Sequence, residues 1–317
     1  METELTSNLT VYFRGQFVPL QEARVGLLTH ALHYGTGVFE GIRGYWSEEE
    51  AELFLFRPRE HFERWKQNGH LLKMDIPHTP AELCELVCEL IVRNQFRCDL
   101  YIRPLMFKSR EGIGVHLGPE TEFALIALPF GKYIDSSRGL RVCVSSWRRV
   151  PDNSIPARGK ICGAYVNSAL AGEEARSHGF DEAIVLTEDG HVAEGSAANI
   201  FLVRNGQLIT PPVTDDILEG ITRATVMELA REMWVDTVER RVDRTELYVA
   251  EEIFFTGTAF EIAPVVEVDR RPVGTGAVGP LTRRLQQAYA DVARGRSVRN
   301  AHWRLGVYRE ARTNVPR

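Results

Sequence analysis

Seven residues near the middle of the chain, "YIDSSRG" from Tyr133 to Gly139, are polar and turn-forming, and the alternation of strands and helices stops before them and restarts after them. This break restricts the fold more than any other feature, because each flanking stretch must bury its apolar residues against its own elements. Before it, "VYFRGQFVP" reads as a hairpin around Gly15, "ELFLF" as a strand, and "REHFERWKQNGHLL" as an amphipathic helix. A second helix with a threonine cap, "TPAELCELVCELIVRNQ", leads to the strands "LYIRPLMF" and "EFALIALPF". After the break come the strand "LRVCVSSW", the helix "YVNSALAGEEARSHG", the strand "EAIVLTED", and "NIFLVRNGQLITPP" with a hairpin signal at Asn205-Gly206. The helix "TRATVMELAREMW", the strand "EIFFTGT" and the helix "PLTRRLQQAYADVARG" complete the pattern. Strand runs this rich in hairpins argue against a doubly wound sheet. The expectation is an α+β protein of two domains, a small one over residues 1–132 and a larger one over 141–317, joined by a loop at 133–140. With 317 residues there is material for both cores.

A net charge of −5 gives no electrostatic case for nucleic acid or for an anionic membrane. The N-terminal stretch has neither a basic leader nor an apolar core, and no apolar run approaches the roughly 18 residues that span a bilayer. A cytoplasmic protein is expected. The five cysteines, Cys84, Cys88, Cys98, Cys143 and Cys162, are odd in number and lack paired-ligand spacing, so they read as reduced thiols.

Basic charge is supplied almost entirely by arginine. Of 38 basic residues only Lys66, Lys73, Lys108, Lys132 and Lys160 are lysines. Arginine is the better fork for anions but does not deprotonate, whereas a desolvated lysine becomes a nucleophile or forms a Schiff base. Four of the lysines sit among charged or helical residues that read as surface. Lys160, in "IPARGKICGAYVNSAL", lies between glycines and a small, apolar, tyrosine-bearing stretch. Alone, it is equally a solvated loop lysine or a reacting one.

Three downstream features bear on that choice. "HVAEGSAANIF" places Glu194 beside small residues at a strand end, suited either to a protonated ring nitrogen or to capping a turn. "DDILEGITRATVMELA" puts Gly220 before a helix opening at Ile221-Thr222, where free N–H groups and the helix dipole favour an anion. "FFTGTAFEIAPV" runs a strand into Thr256-Gly257-Thr258-Ala259, whose hydroxyls and amides suit phosphate or carboxylate. An amine, a carboxylate and an anion-binding helix end together describe a pyridoxal phosphate site.

The order and wording of these motifs resemble the branched-chain amino acid aminotransferases of the fold-type IV pyridoxal-phosphate family, from Val11 to about Gly295. The resemblance rests on "HALHYGTGVFEGIRGY", "FRPREHFERW", "LYIRPLMF", "GVHLGP", the Lys160 segment, "EGSAANIF", "LEGITR" and "FFTGTAFEIAPV". It implies a cofactor lying where the two domains meet, with Lys160 as its Schiff-base lysine and the catalytic residue. Tyr165 would bond the ring oxygen and Glu194 the pyridine nitrogen, and Arg64, Ile221, Thr222 and Thr258 would hold the phosphate. For the substrate, it implies that Tyr101 with Thr258 and Ala259 holds the α-carboxylate, and that Arg103 receives the distal carboxylate of glutamate. Phe39, Tyr34, Val115, Phe130 and Tyr133 would form the apolar wall, with Tyr34 and Val115 supplied by a neighbouring subunit. A homodimer or higher oligomer follows from that.

The activity implied is transamination of leucine, isoleucine or valine with 2-oxoglutarate. D-amino acid transaminases, (R)-amine transaminases and aminodeoxychorismate lyase share the cofactor half, but "YGTGVFEGIR" and "YIR" favour the branched-chain pocket. A non-catalytic cofactor-binding protein is the rival outside enzymes. Three positions depart from the family pattern: Ala164 stands for asparagine, Cys162 for glycine and Phe130 for tryptophan. His30 and His33 have HxxH spacing but no third ligand nearby, and no metal is expected.

Overall fold

The computed structural model describes residues 9–131 and 138–308. The chain divides into two compact units, one of Met1–Gly131, Gly159–Gly163 and Asp291–Arg317, the other of Lys132–Arg158 and Ala164–Ala290.

An eight-stranded antiparallel sheet organises the first unit. Its strands are β1 (Thr10–Phe13), β2 (Gln16–Pro19), β3 (Gly37–Phe39), β4 (Ile42–Ser47), β5 (Glu52–Phe56), β6 (Leu100–Lys108), β7 (Thr121–Pro129) and the C-terminal Arg304–Gly306. The spatial order is Arg304–Gly306, β5, β4, β6, β7, β1, β2, with β3 also on β6. The β1–β2 turn places both Arg14 (φ 49) and Gly15 (φ 81) in the left-handed region, as a two-residue hairpin loop demands. Among the described residues, helices α1 (His30–Tyr34), α2 (Pro58–Leu71) and α3 (Pro80–Arg93) belong here. The expected threonine cap is a reciprocal capping box, in which Thr79 Oγ1 accepts the Glu82 amide and Glu82 accepts the Thr79 amide. Helices α2 and α3 pack on one another and against the strands, and Phe62, Trp65, Leu83, Val87 and Leu90 are fully buried. Along β6, Leu100, Ile102, Pro104 and Met106 are buried, while Tyr101 and Arg103 occupy the opposite face, half-buried.

One lysine overturns the surface reading. Lys108 is 1% exposed, and its Nζ donates to the carbonyls of Lys73 (2.7 Å) and Gly118 (2.6 Å). Those two acceptors offset the cost of taking the ammonium out of water, although burial still pushes its pKa down.

The second unit holds a nine-stranded mixed sheet in the order β10, β9, β8, β15, β14, β11, β12, β13, with β16 on β15. The strands are β8 (Leu140–Arg148), β9 (Glu182–Leu186), β10 (Val192–Gly195), β11 (Asn199–Arg204), β12 (Gln207–Thr210), β13 (Thr237–Glu239), β14 (Glu252–Gly257), β15 (Glu261–Val268) and β16 (Arg271–Pro272). Helix α4 (Tyr165–Ser177) connects the parallel pair β8 and β9, and α5 (Ile221–Glu232) precedes β13. Helix α6 (Pro280–Ala293) follows the sheet. Asn205 (φ 51) and Gly206 (φ 72) make the hairpin that their sequence signals. The core gathers Val142, Ile184, Ile200, Phe255 and Val265. Strand β15 was not legible, because Pro264 interrupts it. The proline lies one residue before the parallel pairing to β8 begins at Val265, so on that side no ladder partner meets the N–H it lacks.

The division differs from the expected boundaries in two places. Arg304–Gly306 pairs with β5, and Trp303 accepts the Arg57 amide (2.6 Å), which draws the last residues into the first unit. The segment around Lys160 also joins it, through an Ile161–Val38 bridge and a bond from the Phe39 amide to the Lys160 carbonyl (3.1 Å).

Candidate active site

In the first unit Lys160 lies beside β3, its Nζ 5.1 Å from the centre of the Phe39 ring. Close backbone approach makes this possible: the Gly163 amide donates to the Gly35 carbonyl (3.1 Å), and a Cβ on Gly35, at φ 64, would sit 2.7 Å from the Gly163 Cα. Phe39 also carries the Arg103 guanidinium, whose Cζ is 4.4 Å from the ring centre. Arg103 donates to the Tyr101 hydroxyl (3.2 Å), as two residues apart on one strand face allows, while its Nε is buried with no partner among the described residues. Phe130 packs tilted on Tyr101 at 5.1 Å. Gly41 is required here, because any Cβ would run into the Tyr101 hydroxyl.

Arg64 stands on α2 and forms a two-point pair with the fully buried Glu40, Nε to Oε1 at 2.7 Å and Nη2 to Oε2 at 2.8 Å. His61, one turn earlier on α2, meets the same carboxylate through Nδ1 at 2.8 Å. Burial would raise the Glu40 carboxyl, but the Arg64 charge and the His61 hydrogen bond outweigh it and hold the group well below the usual carboxylate range. Burial pushes His61 down, against the pull of Glu40. A neutral His61 then donates its Nδ1–H to an ionised Glu40, so the carboxylate that holds Arg64 is itself held from two sides.

Tyr34 and Val115 form a separate group. The Tyr34 hydroxyl accepts the Gly114 amide (3.0 Å), and Val115 is exposed. His30 and His33, the HxxH pair, bond Thr36 Oγ1 (2.7 Å) and the Leu27 carbonyl (2.9 Å).

In the second unit Glu194 is the penultimate residue of β10 and is almost fully buried. Its Oε2 accepts Asn199 Nδ2 (3.0 Å) and the Leu218 amide (3.2 Å), and its Oε1 lies 3.0 Å from Arg149 Nε. Asn199 Nδ2 also reaches the Leu218 carbonyl (2.9 Å), which ties Glu194 to the loop that opens α5. A Cβ on Gly220 would collide with Asn199. Gly220 caps α5 without any side-chain hydrogen bond, so Ile221 and Thr222 stand at a helix start with no side-chain cap. Thr258 and Ala259 follow β14, half-buried, and within β14 the Thr256 hydroxyl is buried with no partner among the described residues. Tyr165 opens α4, also half-buried.

The family model for amino-transferase class IV matches residues 37–268. The chain belongs to the class IV aminotransferases. A relative from Aquifex aeolicus (strain VF5), a probable branched-chain-amino-acid aminotransferase, is 46% identical over 299 residues, covering 94% of this chain and 96% of its own. The solved branched-chain aminotransferase of Thermoproteus uzoniensis with norvaline superposes with a TM-score of 0.91 at 42% identity, covering 95% of this chain and 99% of that one. The branched-chain aminotransferase of T.th., complexed with N-(5′-phosphopyridoxyl)-L-glutamate, gives 0.89 at 40% identity with the same coverage.

For this aminotransferase most of the sequence-derived residues gather locally, while Tyr165 at the start of α4 and Thr258 and Ala259 after β14 stand apart. Lys160, Phe39, Arg103, Tyr101 and Phe130 are linked by contacts, with Arg64 on its own clamp. Glu194, Ile221 and Thr222 cluster around the 218–222 loop. Tyr34 and Val115 stand together, and Tyr133 lies outside the described residues. Sequence reasoning missed Glu40, His61, Arg149 and Asn199. A signal existed for Glu40, a charge set between the apolar "GVF" and "GI", and for His61, three residues before Arg64 on one helix face.

Proposed function

We propose that this aminotransferase moves the amino group of leucine, isoleucine or valine to 2-oxoglutarate with pyridoxal 5′-phosphate as cofactor. The carrying observation is Arg103. A half-buried guanidinium that shares a strand face with Tyr101 and pairs with no acid among the described residues suits a substrate carboxylate. The relatives solved with norvaline and with a phosphopyridoxyl-L-glutamate support a pocket for both apolar side chains and glutamate.

The residues fit the cofactor: an amine at Lys160, a clamped cation at Arg64, an anchored carboxylate at Glu194, and an α5 start lacking a side-chain cap. Bound there, pyridoxal phosphate supplies the electron sink for charge developing at the substrate's α-carbon. Lys160 would hold the cofactor covalently, and its Nζ would take the proton from that α-carbon. Glu194 keeps a proton on the ring nitrogen, Tyr165 holds the ring oxygen, and Arg64, Ile221, Thr222 and Thr258 hold the phosphate. Tyr101 with Thr258 and Ala259 orients the α-carboxylate, and Arg103 takes the distal one of glutamate. Phe39 and Phe130 face the apolar side chain.

Tyr34 and Val115 serve the active site of a second copy. Their surroundings support this: Leu27, Leu32, Ile113 and Val115 are 61–79% exposed on two segments joined by a Thr29–Glu111 bridge. Ile113→Asp is expected to give monomers in sedimentation and to lose activity. Cytoplasmic placement fits the five free thiols and the lack, among the described residues, of a helix long and apolar enough to cross a membrane.

The test of the central assignment is covalent. Borohydride reduction and peptide mapping should find the cofactor on Lys160, and Lys160→Ala should lose the visible cofactor absorbance without rescue by Lys160→Arg. Label on another lysine defeats it.

A further inference from the structure

We propose that Arg149 is a positioning residue that keeps Glu194 ionised, an inference that rests on the role given to Glu194 above. Arg149 follows β8 directly. Its amide donates to the Leu186 carbonyl (2.8 Å), which holds the main chain, and its Nε to the Asp216 carbonyl (3.0 Å), which holds the guanidinium. The same Nε stands 3.0 Å from Glu194 Oε1, with the two side chains 11% and 7% exposed.

The donors around Glu194 divide the work. Asn199 and the Leu218 amide are neutral and hold Oε2 at a fixed angle. Arg149 brings a full charge to Oε1, and an opposite charge at that distance favours the ionised form of a carboxyl. The other charged groups on neighbouring elements are engaged elsewhere. Asp215 pairs with Arg241, Glu219 with Arg158, the Asp216 carboxylate accepts the Asp152 amide, and Glu182 accepts the Ala183 amide. A carboxyl so nearly buried and without a cation holds a proton of its own. It then no longer draws one onto a ring nitrogen.

The test uses Arg149→Met, Arg149→Gln, which can keep the Asp216 bond without charge, and Arg149→Lys, each in the wild-type and Glu194→Gln backgrounds. The first readout is thermal melting of cofactor-free protein. The neutral variants should melt lower than wild type at pH 8, the gap should narrow toward pH 4.5, and it should fall by at least half in the Glu194→Gln background. A gap equal at every pH and in both backgrounds means that Arg149 only packs, and overturns the proposal. The second readout is proton removal from L-leucine in single-turnover half-reactions of the loaded enzyme. It should drop at least tenfold in Arg149→Gln and return to within threefold in Arg149→Lys; no recovery with lysine overturns the proposal. If the melting shows the coupling but Glu194→Gln alone leaves proton removal intact, the role given to Glu194 falls and takes this inference with it.

Discussion

Replacing Arg103 with leucine should separate the two substrates that one pocket must accept. The guanidinium sits over the Phe39 ring with its Cζ 4.4 Å from the centre, makes one hydrogen bond to Tyr101 (3.2 Å), and has a buried Nε without a partner among the described residues. Losing a charge-assisted pair with a substrate carboxylate costs roughly 1.5–3 kcal/mol, about 10- to 150-fold at about 1.4 kcal/mol per decade. Both substrates share a smaller loss, because the Tyr101 hydroxyl forfeits a donor; at about 0.5–1.5 kcal/mol this is roughly two- to tenfold. Leucine covers the Phe39 face that arginine vacates, so the wall is kept. Half-reactions of the same preparation with L-glutamate and with L-leucine, followed by stopped-flow absorbance, give the ratio directly. The glutamate rate should fall at least tenfold more than the leucine rate. Equal losses would refute the reasoning and make Arg103 a general support of Tyr101 and Phe39.

Glu40→Gln breaks a buried pair and should cost roughly 3–5 kcal/mol at pH 7 in urea melts, with weakened phosphate binding as Arg64 loses its clamp. The Glu40 carboxyl is held below its ordinary value of 4.5, so its contribution is fully present above about that pH and is lost as pH falls below it. The difference between wild type and Glu40→Gln should therefore shrink in melts near pH 3. Lys108→Met leaves the Lys73 and Gly118 carbonyls without their buried donor and should cost about 2–4 kcal/mol in the same assay; a neutral result would mean that water replaces the ammonium.

Local chemistry made much of this legible. The turns at Arg14-Gly15 and Asn205-Gly206 need left-handed residues, the Thr79 box needs a carboxylate three positions on, and the β6 alternation puts Tyr101 and Arg103 on one face. What escaped depends on partners distant in sequence. Lys108 has charged neighbours and reads as surface, yet its acceptors come from residues 73 and 118. Glu40 gains its meaning from a helix about twenty residues later. Pro264 conceals a central strand because a period-of-two reading penalises proline without knowing where pairing starts.

The strand at Arg304–Gly306 also sets an order of events during synthesis. It covers the edge of β5, and just beyond it the Tyr308 amide bonds Glu52, a residue 256 positions earlier. At about 5–20 residues per second, roughly 13–50 s pass between the translation of the two. Throughout that interval the apolar segment "ELFLF" has β4 on one side and an open edge on the other. A nascent chain is therefore prone to aggregate through β5 until Arg304–Gly306 has been made, and a chain ending before Arg304 would keep that edge open for its lifetime.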